Sequence, residues 1–300
     1  LLGIDWTGRV QPRLADSWQW DADHLRLELK LHQGLRFHDG SAADARAIAG
    51  LLQNRIDSQE AASYADVTKI EATDGSTIVL QLKRPNAFLL ADLAESTLRD
   101  RKNLARATGP FRIASLKPTV DLVAFDQYYR DRPQIDRLEI KPYDTLRGAW
   151  AAMMRGEIDV LQDVGRDTVE FVEAESSVQV YRFLRPYYYP LVFNVRNPVL
   201  KSKEVRQALS QAVDRQTIVE RAMHGRGRVA DGPIWPFHWA HSEAQRKYSY
   251  NPEVARLRLE AAGLKVNRDP QPGFMPSRLR FTCLLVENEQ AFDSVALYLQ

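Results

Sequence analysis

The chain has 300 residues, 44% hydrophobic and 27% charged, values of an ordinary globular protein that exclude a disordered or fibrous chain and leave room for two domains. A net charge of +2 is too balanced for a nucleic-acid-binding surface, so no nucleic-acid partner is expected. Cys283 is the sole cysteine, which rules out a disulfide within the chain and a cysteine-based metal site, and no apolar run reaches membrane-span length. The chain opens abruptly at Leu1-Leu2-Gly3 and stops inside a helix predicted from Glu289 to Gln300. Both ends are therefore expected to continue, and the lack of a signal segment carries no information.

Leu1 to Trp6 predicts a strand turned by Gly8. Pro12-Arg13-Leu14-Ala15-Asp16-Ser17-Trp18 leads to an acidic turn, Asp21-Ala22-Asp23. Leu25, Leu27, Leu29 and Leu31 then alternate with Arg26, Glu28 and Lys30, the period of a half-buried strand. Gly34 to Gly40, with Phe37-His38-Asp39 inside it, closes that strand. His38 and Asp39 are metal-ligating or catalytic types, but the flanking glycines assign them to a turn. Ser41, with Asp44 three residues on, is expected to cap a helix whose apolar positions are Ala45, Ile48, Ala49, Leu52 and Ile56.

This ordered series resembles the solute-binding proteins of the dipeptide and oligopeptide ABC transporters, family 5. The resemblance extends through a hairpin at Asp74-Gly75 and through Ala107-Thr108-Gly109-Pro110-Phe111, where the family usually has glycine in place of Ala107. No Lys-Ser/Thr follows, so the segment is not a phosphate loop. Leu122 to Phe125, Tyr128-Tyr129-Arg130 and Gly156-Glu157-Ile158-Asp159 also match, with Asp126 where the family has Asn. Ile135 to Ile140 predicts a strand, and Thr145 and Gly156 bracket a helix from Leu146 to Arg155. Glu157 and Asp159, spaced to share one face of a strand, are assigned to a turn and strand rather than to a hydrolytic pair.

Pro186 to Pro198 is a proline-bounded, aromatic and β-branched run. It predicts a strand, either crossing between two lobes or lying at the edge of one. One long helix is expected from Val199 to Met223, with Val205, Ala208, Leu209, Ala212 and Val213 on one apolar stripe. It resembles the family's Val-Arg-Gln-Ala-Leu…Ala-x-Asp-Arg helix. Arg206, Asp214 and Arg215 are expected in structural ion pairs, and Gly225-Arg226-Gly227-Arg228 reads as a flexible basic loop. Gly232 to His241 gathers Trp235, Phe237, His238, Trp239 and His241 between prolines. Loop packing, the lining of a ligand cleft and, were it helical, a metal at His238 and His241 are the three readings. Asn251-Pro252 starts a helix ending at Gly263. Pro270 to Pro276 reads as a loop. Leu279 to Val286 reads as an apolar strand holding Cys283 as a small core residue.

The resemblance implies an α/β, two-lobe periplasmic-binding-protein fold (type II, cluster C-like), with mixed sheets, flanking helices and a hinge between lobes. The first lobe is expected over residues 1–190 and the second, incomplete, over 191–300. The implied protein is a monomer outside the cytoplasm, periplasmic or membrane-anchored. It would capture a peptide or similar small solute and deliver it to an ABC permease, with no cofactor, no metal and no catalytic residues. Tyr187, Tyr188, Tyr189 and Asn194 at the seam, with Trp235, Phe237, His238 and Trp239 on the loop, are the candidate ligand contacts. The alternative is the ligand-sensing domain of a transcriptional regulator that uses the same fold.

Overall fold

A computed structural model describes residues 1–57, 62–95, 98, 100, 103–162, 164, 169–185, 188–244, 247–264, 282–286 and 290–299. Contacts gather into two compact units, Leu1–Leu161 and Gln162–Gln300. Among the described residues no helix is long and apolar enough to cross a membrane.

The first unit opens with a hairpin, β1 (Leu2–Ile4) and β2 (Val10–Pro12). Asp5 builds its turn: one carboxylate oxygen accepts from the Thr7 amide at 2.8 Å, the Thr7 hydroxyl at 2.6 Å and the Arg9 amide at 3.0 Å. The Thr7 side-chain hydrogen bond is the largest influence holding the Asp5 carboxyl below its ordinary pKa. Gly8 takes the left-handed backbone that the turn needs, φ 79°.

A four-stranded antiparallel sheet follows, made of β3 (Ala15–Trp20), β4 (Arg26–Leu31), β5 (Val67–Ala72) and β6 (Thr77–Leu82), in the order β3-β4-β6-β5. The leucine alternation does what its period predicts. Leu27, Leu29 and Leu31 are buried while Arg26 and Lys30 face water. Leu27 lies opposite Trp20 and Leu80, and Leu29 opposite Trp18 and Ile78. Asp74 sets the β5–β6 turn by accepting from the Ser76 and Thr77 amides at 2.7 and 2.8 Å.

Helix α1 (Ala45–Asp57) covers this sheet with Ile48, Leu51 and Leu52, joined in the core by Phe37, Tyr64, Leu89 and Leu93. Its cap differs from the expected one. Asp44, not Ser41, accepts from an amide of the first turn, Ala47 at 2.9 Å. Ser41 instead donates its amide to Asp39 at 2.9 Å, so the two compete for different partners. A 3-10 turn (Ala62–Asp66) and α2 (Leu89–Glu95) complete this part.

A three-stranded antiparallel sheet comes next: β7 (Phe111–Ser115), β8 (Val120–Ala124) and β9 (Arg137–Ile140), in that order. Helix α3 (Leu146–Met154) begins at Thr145, whose hydroxyl accepts from the Gly148 amide at 3.1 Å. Gly156 (φ 70°) ends it, as its position predicts. No strand forms at Glu157 and Asp159, which the sequence assigns to a turn and strand. That segment is irregular, and Glu157 is held by Arg155 at 2.5 and 3.0 Å instead of facing Asp159 across a shared surface.

The second unit contains α4 (Val169–Ala174) and then an irregular run. The described part of the expected seam strand, residues 188–198, forms no strand. High β-propensity is expressed only where a neighbour supplies the ladder, and among the described residues none pairs with it. The expected single helix is also broken into α5 (Pro198–Lys201), α6 (Lys203–Ala212), α7 (Arg215–Thr217) and a π turn (Ile218–Ala222). The breaks fall at Ser202 and Asp214, whose oxygens accept from the Val205 amide at 3.3 Å and the Thr217 amide at 3.0 Å, each restarting a helix.

Helix α8 (Pro252–Ala261) starts at Asn251, which accepts from the Val254 amide at 3.0 Å, and packs on α6 through the buried Ala208 and Ala255. A polar chain laces the two helices: Arg258 donates to Gln207 at 2.9 Å, and Gln207 to the Tyr248 hydroxyl at 2.8 Å. Arg206 donates to the Leu200 and Lys201 carbonyls, both at 2.8 Å, and Arg215 to the Ser210 carbonyl at 2.9 Å. These arginines therefore close helix ends rather than form the expected ion pairs. Residues 282–286 are irregular rather than a strand, and Cys283 is exposed rather than a core residue. Leu279 to Phe281 and the loop Pro270 to Pro276 lie outside the described residues. Helix α9 (Gln290–Leu297) ends the description.

Candidate functional site

In the second unit the loop from Gly225 to His241 brings ring systems and hydrogen-bond donors together. Trp235 and Phe237 meet edge to face, ring centroids 5.5 Å apart. The Arg228 guanidinium lies over the Phe237 ring, 5.3 Å from its centroid. His238 stacks on Trp239 at 5.7 Å with 30° between the rings. Two turns fold the loop back on itself: the His238 amide donates to the Trp235 carbonyl at 3.0 Å, and the His241 amide to the His238 carbonyl at 2.9 Å. Pro233 and Pro236 keep this segment from becoming a helix.

His238 is fixed further by its own ring. Nδ1 accepts from the Ala240 amide at 3.1 Å, so the neutral imidazole carries its hydrogen on Nε2. At the base of the loop Lys247 bridges Asp231 at 3.1 Å and Glu243 at 3.3 Å. Its pKa is raised, first by the Asp231 hydrogen bond and then by that of Glu243. The rings stay accessible on this frame, Phe237 at 42% and Trp239 at 56% of full exposure. A rigid loop that shows aromatic surface beside hydrogen-bond donors can hold an amphipathic small molecule.

The seam residues are placed differently. Tyr188 is 45% exposed. Tyr189 packs edge-on against Phe292 of α9 at 5.1 Å. Asn194 accepts from the Arg196 amide at 3.0 Å and shapes the turn into α5. Tyr187 lies outside the described residues. The loop candidates thus form two ring pairs, Trp235 with Phe237 and His238 with Trp239, and Tyr189 has another ring partner. Two hollows, of about 400 Å³ beside β7 and about 640 Å³ between α6 and α8, are lined by none of the candidate residues.

Arg228 is not legible in the sequence as a site residue. A cation nine positions from its ring, on a loop, leaves no periodic signal, and the glycines around Arg228 point only to flexibility. His38 has a structural partner, as the turn assignment requires: Nε2 lies 2.9 Å from the Gly109 carbonyl and the ring meets Phe125 edge-on at 4.9 Å. Asp39 lies below its ordinary pKa, chiefly through the Ser41 hydroxyl. Among the described residues no group of three or more His, Cys, Asp or Glu side chains is arranged to hold a metal ion.

Comparison with known proteins shows the family. The family model described as "Bacterial extracellular solute-binding proteins, family 5 Middle" matches residues 9–300. The oligopeptide-binding protein AppA of Bacillus subtilis is 26% identical, over 97% of this chain and 58% of its own length. The heme-binding protein A of Haemophilus influenzae is 25% identical, over 85% of this chain and 54% of its own. A nickel ABC transporter structure from Bacillus halodurans superposes with a TM-score of 0.77 at 26% identity, covering 100% of this chain and 64% of that one. The chain spans about half the length of the curated relatives it matches.

Proposed function

We propose that this chain, which belongs to the bacterial extracellular solute-binding proteins of family 5, is part of a monomeric protein that captures a peptide or similar small solute outside the cytoplasm and hands it to an ABC permease. Its fold is the α/β fold of the family's periplasmic binding proteins. The functional lobes run over residues 1–190 and 191–300, with solute held between them by hinge closure. The protein makes and breaks no bond, and the cell retains it as a periplasmic or membrane-anchored component.

The observation that carries this reading is the family match over residues 9–300. The loop cluster of Trp235, Phe237, His238 and Trp239 supports it as a surface for an amphipathic ligand. Tyr187, Tyr188, Tyr189 and Asn194 are proposed as a second set of contacts from the seam. Peptide is the solute class of choice because relatives named for peptides, such as AppA of Bacillus subtilis and the dipeptide-binding protein of Escherichia coli, match most of this chain.

Capture of this kind couples to stability, because the solute binds the folded state alone. At a hundredfold excess over the dissociation constant it should add about 2.7 kcal/mol to the unfolding free energy of the complete protein. Equilibrium unfolding with a dipeptide and tripeptide mixture measures this, and mass analysis of the recovered mixture shows whether the peptides remain whole. A gain with whole peptides supports capture. Cleaved peptides would establish an enzyme instead.

A further inference from the structure

The loop's chemistry narrows the solute. The Arg228 guanidinium carbon sits over the Phe237 ring, 5.3 Å from its centroid. A guanidinium used in this way keeps its N–H donors around its rim, and those donors match a carboxylate. A second donor is fixed close by in sequence: the Ala240 amide occupies Nδ1 of His238, so the neutral ring offers Nε2–H. The same loop exposes aromatic surface at Phe237 and Trp239. Two donors for an anion and two exposed rings therefore sit on one proline-stiffened loop, in the neighbouring pairs Arg228–Phe237 and His238–Trp239. Neither a purely apolar nor a purely charged ligand would use all of it.

We propose that the Arg228–Phe237–Trp235 cluster, with His238 and Trp239, selects solutes that carry a flat aromatic group and a free carboxylate together, as in a peptide ending in an aromatic residue. This rests on the proposed role of the loop in solute capture. Arg228 takes the carboxylate, and the rings of Phe237 and Trp239 take the aromatic group. The nearby Arg226 faces Glu170, at 3.8 Å, and has no part in the selection.

The test is titration calorimetry on the complete protein with three probes: Ala-Phe, its C-terminal amide, and Ala-Ala. Ala-Phe should bind at least tenfold tighter than either of the others. Arg228→Gln should bring the acid and the amide to within twofold of each other, with the thermal midpoint unchanged, and Arg226→Gln should leave all three affinities unchanged. Equal binding of acid and amide in the unaltered protein would overturn the selection, and that comparison needs no variant to fold. If Trp239→Ala still weakened both probes, solute capture by the loop would stand without it. If none of the probes bound and the midpoint moved with no peptide mixture, the capture reading would fall as well.

Discussion

Replacing Leu29 with alanine is expected to cost about 2–5 kcal/mol of folding stability. Leu29 is fully buried in β4 and has strands on both sides, with Trp18 opposite it in β3 and Ile78 opposite it in β6. Removing its side chain opens a cavity that two paired strands cannot close without breaking their ladders. The loss is a large part of the roughly 5–15 kcal/mol that holds a typical domain together. Urea unfolding of the complete protein, followed by far-ultraviolet circular dichroism, measures it. A cost below about 1 kcal/mol would mean that the site relaxes freely and that Leu29 is not enclosed by the sheet. The exposed neighbour Lys30, changed to alanine, should move stability by about 0.5 kcal/mol or less.

The second large effect concerns binding rather than folding. Trp239→Ala is expected to weaken solute binding at least tenfold, and Trp235→Ala by a similar factor, since truncating a tryptophan anchor commonly costs about 2 kcal/mol or more. At 56% exposure Trp239 contributes little to the folded state, so its loss should leave the thermal midpoint nearly unchanged and separate affinity from stability. Trp235 meets Phe237 edge to face, so its removal also loosens the seat of Arg228. Calorimetric titration with the best-binding peptide decides the matter. Unaltered affinity in both variants would make the loop structural.

The parts of this fold that could be read from sequence are those whose cause is local. The β4 alternation is visible because successive side chains of a strand point to opposite faces, so the apolar period is written within the strand itself. The starts of α3 and α8 are visible because Thr145 and Asn251 act within three residues of themselves. The single helix expected from Val199 to Met223 failed for a related reason. Its apolar stripe, Val205 to Val213, lies between Ser202 and Asp214, whose side chains offer the backbone a competing partner and restart the helix twice. At residues 188–194 and 282–286, strong β-propensity produces no strand among the described residues, because propensity does not create a pairing partner.

For the site, composition revealed the aromatic loop and the proline spacing showed that it is not a helix. The contacts that give it direction were hidden. Arg228 reaches Phe237 across a loop, Tyr189 reaches Phe292 across more than a hundred residues, and neither pairing has a period or motif. The cap residues, by contrast, were misread only in detail: Asp44 took the role expected of Ser41, three positions away on the same turn.

Native mass spectrometry of the complete protein, purified gently from its natural compartment, tests solute capture most directly. The account predicts a retained small molecule of peptide size, released on unfolding, which fragments to a sequence with an aromatic residue at its free carboxyl end. A bare protein, with an unfolding midpoint that no peptide mixture shifts, would contradict it.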